Sequence, residues 1–311
     1  MEYITLKNSD LRVSRLCMGG CPMGGHGWGV VQEGELVDAV NAALDHGINF
    51  FDTADTYGLG QSEQTLGRAL GSRRDQAVIA TKFGVRVENH STFYDNSPQW
   101  IRTACENSLR RLGTDYIDLY QIHYRDGKTD LRDVLETLER LREEGKVRYF
   151  GLSNLEQKDL PELRTCKGSF ITIQNQYSLA CRDYEGDIRA VSEEMDLTPM
   201  TWGSLGQGIL TGKYDSTASF TSDDRRSREV YVNFHGEKLL KNLEIVGQMR
   251  EIAQKYGKPV SAIAVRFILD YLEGSVVLCG AKRPDQILGN AEALGWQLDQ
   301  EDLELLEHVS R

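Results

Sequence analysis

YIDLYQIH (116–123) is a short, almost unbroken apolar run that closes on an imidazole. INFFDTAD (48–55) and AVIATKFG (77–84) have the same form, with a carboxylate or an ammonium near the end. A strand with one wet face alternates apolar and polar residues. These runs do not alternate, so they read as strands buried on both faces, the state of strands in a parallel sheet.

Working outward, five further runs share the form: SRLCMGG (14–20), RYFGLSN (148–154), FITIQNQYS (170–178), LTPMTWGS (197–204) and SVVLCGAK (275–282). Helical periodicity fills the gaps. Val37, Val40, Ala43 and Leu44 recur within 34–46 and stop at Gly47. Residues 97–113 open on Ser-Pro and close on Gly113, and Leu131, Val134, Leu135, Leu138 and Leu141 form the stripe of 130–144 before Gly145. Gly after the last apolar position is a helix stop. Further helices are expected at 62–71, 158–166, 184–195, 239–256 and 261–273, with extra C-terminal helices at 284–294 and 299–309.

Eight strands, each followed by helix, predict an α/β (β/α)8 TIM barrel over residues 1–311 as a single domain. The competing open doubly wound sheet carries GxGxxG after its first strand, and that pattern is absent. Residues 2–13 read as a hairpin turning at Asn8-Ser9-Asp10 that caps the barrel's bottom, and 213–238 as a long charged connection after the seventh strand. A loop of that length in a compact domain is usually functional.

The net charge of -11 disfavours nucleic acid and anionic membrane as partners and leaves a small-molecule substrate as the better fit. No run of apolar residues is long enough to span a bilayer, and the N-terminal segment is polar, so a cytoplasmic location is expected. The six cysteines show no CxxC and the six histidines no metal-ligand spacing; reduced thiols and no metal are expected. No GxSxG, HExxH or Walker pattern occurs.

Barrel enzymes work at the C-terminal ends of their strands. Asp52 lies late in the second strand with Tyr57 in the following loop, Lys82 ends the third, and His123 ends the fourth. Neighbouring strands are about 4.8 Å apart, so these side chains can share one pocket. Each alone has an ordinary reading: a core histidine, a rim lysine, a turn-capping aspartate. Together they suit carbonyl reduction. Tyr supplies the proton, the Lys ammonium lowers a phenol pKa of about 10, Asp balances the Lys, and His orients the substrate oxygen.

The same residues resemble a family. FDTADTYGLGQSEQTLGRAL (51–70), IATKFG (79–84) and SLRRLGTDYIDLYQIH (108–123) are similar to the catalytic segments of aldo-keto reductases. GLSNL (151–155), IQNQYS (173–178), WGSLGQGILTGKY (202–214) and GAKRPDQILGN (280–290) resemble their cofactor segments. The resemblance implies Tyr57 as general acid, Lys82 and Asp52 as its tuning partners, and His123 as substrate-orienting group. It implies that Ser153, Asn154 and Gln174 hold the nicotinamide carboxamide and that Trp202 stacks on its ring. Ser204, Leu205, Gly208 and Lys213 would line the pyrophosphate. Gly280, Lys282, Arg283, Gln286 and Asn290 would surround the adenosine end, where two cations favour NADPH over NADH.

After His123 the chain reads YRDGKTD, without the Pro common nearby in the family. MGGCPMGGHGWG (18–29) resembles bacterial sugar-active and stress-related members. Trp28, His26, Tyr124, Arg125 and the 85–97 loop are therefore the substrate-pocket candidates. The expected activity is NADPH-dependent reduction of aldehydes or ketones. The alternatives are a sugar or alcohol dehydrogenase, and an NADPH-holding regulatory subunit resembling potassium-channel β subunits.

Overall fold

The computed structural model describes residues 1–25, 27–89 and 91–311. Eight of its strands close into a parallel barrel: β3 (Leu16–Gly19), β4 (Phe50–Asp52), β5 (Val78–Phe83), β8 (Ile117–Ile122), β9 (Val147–Ser153), β10 (Phe170–Gln176), β11 (Thr198–Trp202) and β12 (Val276–Gly280). β12 pairs with β3, Val277 opposite Leu16 and Gly280 opposite Gly19, and this pairing completes the ring. These are the eight apolar runs, trimmed at one or both ends, except that β9 starts one residue before its run, at Val147. They lack alternation because one face packs into the barrel and the other under helices.

The N-terminal hairpin is β1 (Tyr3–Thr5) and β2 (Arg12–Ser14), antiparallel, with Tyr3 opposite Ser14. It turns through Asn8 in the left-handed region, a conformation that Asn tolerates better than most residues. Leu6, Leu11 and Val13 are buried against the interior residues Phe50, Leu119, Ile171, Met200 and Val276. The Lys7 N–H donates to Thr198 Oγ1 and the Asp10 N–H to Tyr149 Oη, both near strand starts. The hairpin therefore plugs the N-terminal end, leaving the other end as the mouth.

The outer layer is α1 (Glu33–Asp45), α2 (Gln61–Leu70), α3 (Pro98–Leu112), α4 (Leu131–Glu143), α5 (Leu160–Leu163), α6 (Glu185–Met195), α7 (Gly236–Tyr256), α8 (Val260–Tyr271), α9 (Pro284–Ala291) and α10 (Gln300–Ser310). Ser97 caps α3 by accepting from the Trp100 N–H, and Gly113 ends it in a left-handed turn. Asp130 caps α4 in the same way through the Arg132 N–H.

Two expectations need correction, and a third gains detail. The 85–97 loop contains an antiparallel hairpin, β6 (Val85–Glu88) and β7 (Ser91–Tyr94). Arg86 fixes it by bridging to Asp95 at 2.7 Å and lying 4.4 Å from the Trp100 ring. The helix expected at 158–166 is α-helical only over α5, with 3-10 turns on either side. Pro161 in its first turn has no N–H to carry the hydrogen-bond ladder further back. The 213–238 connection, expected as a long charged loop, carries its own aromatic cluster: Tyr214, Phe220 and Phe234 pack ring to ring, and the Arg226 guanidinium lies 4.5 Å from the Phe220 ring.

No described helix is long and apolar enough to cross a membrane. Among the described residues no group of three or more His, Cys, Asp or Glu could hold a metal, and all six cysteines are free thiols.

Candidate functional site

Asp52 is the last residue of β4 and Lys82 the penultimate of β5, adjacent strands whose ends come level. Both are almost fully buried, at 2% and 1% exposure. Lys82 Nζ donates to Asp52 Oδ1 at 2.5 Å and to the Thr53 carbonyl at 2.8 Å. The other carboxylate oxygen accepts from Gln174 Nε2 at 2.8 Å and Gln121 Nε2 at 3.0 Å. A buried ion pair is stable only when its remaining lone pairs are also satisfied, and here two amides do this. Gln121, in the middle of β8, belongs to the site but carries no sequence signal beyond being an amide in an apolar run.

Tyr57 follows β4 in a loop held tightly against the glycine-rich segment after β3. A Cβ on Gly58, whose φ is +61°, would lie 2.2 Å from the Gly24 carbonyl oxygen, so the approach requires glycine. Lys82 Nζ sits 5.1 Å from the Tyr57 ring centroid, and His123 meets the ring edge-on at 5.9 Å. His123 is fixed by its backbone N–H donating to Phe83 O and by Asn154 Nδ2 donating to its own carbonyl. Its Nδ1 has no partner among the described residues. All four expected catalytic residues thus meet at the mouth.

Their electrostatics depart from expectation in one respect. Burial, reinforced by Cys21, Asp52, Tyr124 and Asp55, holds the Tyr57 pKa well above 10.0. Burial outweighs any lowering by the ammonium of Lys82, which is paired with Asp52. Burial, with help from the Lys82 charge, pushes His123 well below 6.5. At neutral pH the phenol keeps its proton and the imidazole is neutral.

Beside this cluster, β9 to β11 bring the proposed nicotinamide residues together. Ser153 Oγ donates to the Gln174 carbonyl, and Trp202 Nε1 donates to Asn154 Oδ1 at 3.0 Å. Asn154 takes a left-handed φ of 57° to turn its amide there. Beyond β11, Ser204 is buried, and Gln207 and Gly208 turn through the left-handed region. Leu205 precedes that turn, and Lys213 Nζ follows it, 4.9 Å from the Tyr214 ring. At the end of β12, past Gly280, the Lys282 N–H donates to Gln286 Oε1 and its Nζ to the Trp28 carbonyl at 2.7 Å. Burial, then the charges of Arg226, Lys213 and Arg283, lower the Lys282 pKa. Asn290 is buried in α9, whereas Arg283 reaches back to Asp285 at 3.0 Å.

The substrate candidates divide. Tyr124 stacks on His123 at 5.0 Å, and Tyr94 from the β6–β7 hairpin stacks on Tyr124 at 5.1 Å. Trp28 packs edge-on against Tyr231 from the long connection at 6.0 Å. Arg125 is committed elsewhere: Glu162 binds it through both terminal nitrogens at 2.9 and 3.0 Å, and the Thr129 carbonyl takes a further bond. His26 lies outside the described residues.

Comparison with known proteins agrees with this layout. The sequence profile described as "Aldo/keto reductase family" matches residues 15–311. The glycerol dehydrogenase AKR11B4 from Gluconobacter oxydans is 35% identical in sequence, with a TM-score of 0.89 over 99% of this chain and 94% of that one. The NADH-specific methylglyoxal reductase of Escherichia coli is 29% identical over 100% of this chain and 98% of its own. An aldo/keto reductase from Klebsiella pneumoniae, solved with NADP and acetate, is 28% identical with a TM-score of 0.76 over 98% of this chain and 94% of that one. An eight-stranded barrel with this match over nearly its whole length belongs to the aldo/keto reductase family.

Proposed function

We propose that this chain reduces aldehydes and ketones, sugar-like carbonyls among them, with NADPH, working as one barrel domain. The carrying observation is the meeting of Tyr57, Lys82, Asp52 and His123 at one mouth. A dihydronicotinamide would supply the hydride. Tyr57 would give its proton to the carbonyl oxygen, and its raised pKa keeps that proton in place until charge develops on the oxygen. As the phenol deprotonates, the ammonium of Lys82 at 5.1 Å from the ring would stabilise the phenolate. Asp52 aims Lys82, and Gln121 and Gln174 hold Asp52. Neutral His123, with an unpartnered nitrogen, would donate to or orient the substrate oxygen.

The described residues suit a dinucleotide. Ser153, Asn154 and Gln174 would hold the carboxamide and Trp202 the ring face. Ser204, Leu205, Gly208 and Lys213 would meet the pyrophosphate. The crowding of Lys282 by Arg226, Lys213 and Arg283 is a repulsion that a phosphate would relieve, which supports NADPH with Lys282, Arg283, Gln286 and Asn290 around the adenosine. One relative bound NADP in its crystal and another is NADH-specific, so the family name alone leaves this preference to be measured.

A second reading is that the same site works mainly as an alcohol dehydrogenase, since one relative is a glycerol dehydrogenase. Initial rates in both directions, with carbonyls, sugars and alcohols and with both cofactors, decide between them. Faster alcohol oxidation than carbonyl reduction at pH 7 would favour the second. Tight NADPH binding with turnover in neither direction would leave a regulatory subunit.

A further inference from the structure

Most arginines of the mouth loops have a carboxylate partner. Arg86 pairs with Asp95, Arg125 with Glu162, Arg226 with Asp224 and Arg283 with Asp285. Arg225 is different. It is half-buried, yet its guanidinium forms no ion pair with any carboxylate and no hydrogen bond with a described residue. A desolvated cation without a counter-charge is costly, and here a carboxylate is adjacent in the chain at Asp224.

The position of Arg225 is built rather than accidental. Its backbone N–H donates to the Gly27 carbonyl at 3.0 Å, which ties the long connection to the glycine-rich segment. Its side chain crosses Gly27 so closely that a Cβ there would sit 2.5 Å from Arg225 Cγ. The guanidinium ends 6.0 Å from the Trp28 ring. The Trp28 indole N–H is itself buried, and the Cys21 thiol is the group it leans toward, short of a well-formed hydrogen bond. An unpaired guanidinium therefore lies over an aromatic ring at one rim.

That rim belongs to the catalytic mouth. Gly24, four residues before Trp28, is pressed against the backbone of Tyr57 and Gly58. The thiol of Cys21 feels Arg225 and the Lys82–Asp52 pair together. The cations acting most strongly on Lys282 are Arg226, Lys213 and Arg283, so Arg225 stands apart from the proposed phosphate-binding group of the cofactor.

We propose that Arg225, seated over the Trp28 ring, forms an anion-recognising subsite at the rim, so that the preferred carbonyl substrates carry a carboxylate or phosphate at the end away from the reacting carbon. This rests on the reading of Tyr57, Lys82 and His123 as a carbonyl-reducing site. A guanidinium offers paired donors to either anion, and the Trp28 ring holds the guanidinium in place.

The test uses substrates that differ only in the anion: 4-carboxybenzaldehyde against its methyl ester, and glyceraldehyde 3-phosphate against glyceraldehyde. The wild-type protein should favour the charged member of at least one pair in kcat/KM. Arg225→Gln should cut that preference about ten- to hundred-fold, the size of a lost charge-assisted bond, and Trp28→Phe by a smaller factor. Loss confined to one pair supports the subsite and identifies its anion. No preference in the wild type, or a preference untouched by Arg225→Gln, overturns it. So does a loosening of NADPH that matches the loss of preference, since Arg225 would then serve the cofactor. Calorimetric titration of the NADP-loaded protein with benzoate and benzamide needs no turnover. Benzoate binding that Arg225→Gln abolishes upholds the subsite even if no carbonyl is reduced. Carbonyl reduction with equal binding of benzoate and benzamide sinks the subsite alone.

Discussion

Two aspartates at opposite ends of the same barrel are equally buried, at 2% exposure each, and do different work. Asp118 stands near the start of β8, at the end closed by the hairpin. It accepts from Arg74 and Arg148, both at 2.8 Å, and from the Ile79 backbone N–H at 3.0 Å. Its two cations go on to other groups of the closed end, Arg148 to Asp10 and the Tyr149 ring at 5.8 Å, Arg74 to the Tyr116 ring at 4.2 Å. Asp52 stands at the end of β4, at the mouth, and its cation Lys82 faces the Tyr57 ring, which meets His123 edge-on. The number of bonds is similar. What differs is the tyrosine beside the cation: Tyr57 stands with His123 at the mouth, Tyr116 and Tyr149 at the closed end. A barrel keeps its structural charges at one end and its chemical ones at the other.

The sharpest way to break that comparison is Tyr57→Phe. Removing one hydroxyl should lower kcat for carbonyl reduction by roughly 10²–10⁴, the range for one general acid, while thermal stability and NADPH affinity stay close to those of the parent. Steady-state rates with fluorescence titration of NADPH check it. Turnover within a few-fold of the parent would remove Tyr57 from the role of acid and erase the contrast between the two ends.

Next come the aspartates themselves. Breaking a buried, bonded pair from one side costs about 3–5 kcal/mol, so Asp52→Ala and Asp118→Ala should both lower stability on that scale in urea unfolding. Only Asp52→Ala should also lower kcat in the fraction that remains folded. A fall in kcat for Asp118→Ala as large as for Asp52→Ala would mean that the two ends are not separate.

Much of this contrast was legible in the sequence, for a physical reason. A strand buried on both faces must be apolar throughout, so a charged residue at its end stands out, as Asp52, Lys82 and His123 do. The hairpin at the bottom showed itself through Asn8-Ser9-Asp10, residues that favour turns. What the sequence hid were the choices made only in three dimensions. Gln121 is one amide in YIDLYQIH, and only barrel closure turns it toward Asp52. Arg125 and Arg225 look alike in sequence, both in polar loops with carboxylates nearby, yet Glu162 takes the first and no carboxylate takes the second. The β6–β7 hairpin was missed because its turn, through Asn89 in a left-handed conformation, lacks a glycine signal. The direction of the tyrosine pKa was hidden because the sequence shows that Lys82 is near but not how deeply Tyr57 is buried.

A smaller effect sharpens the division within the mouth itself, between catalytic and cofactor cations. Lys282→Ala should weaken NADPH by about ten-fold, one charge-assisted contact, and NADH by less. Fluorescence titration with both nucleotides measures it. Equal losses would place Lys282 away from a 2′-phosphate and reassign it to holding the Trp28 carbonyl.

The smallest expected effect is an absence of change, and it follows from the sign of two shifts. His123 is held well below 6.5, so lowering pH toward 6.5 does not yet charge it. Tyr57 is held well above 10.0, so raising pH toward 10 does not yet remove its proton. The working pair, neutral imidazole and protonated phenol, is therefore present throughout that window, and kcat/KM for reduction of a neutral carbonyl should be flat between about pH 6.5 and 10. An ordinary exposed His or Tyr at these positions would put a limb near one edge. The buried state moves both limbs outward because it penalises the imidazolium and the phenolate alike. A clear inflection near pH 8 would show that Lys82 reaches past Asp52 and acts on the phenol directly. The mouth would then resemble the bottom of the barrel less in its charge balance than the 2.5 Å pair suggests.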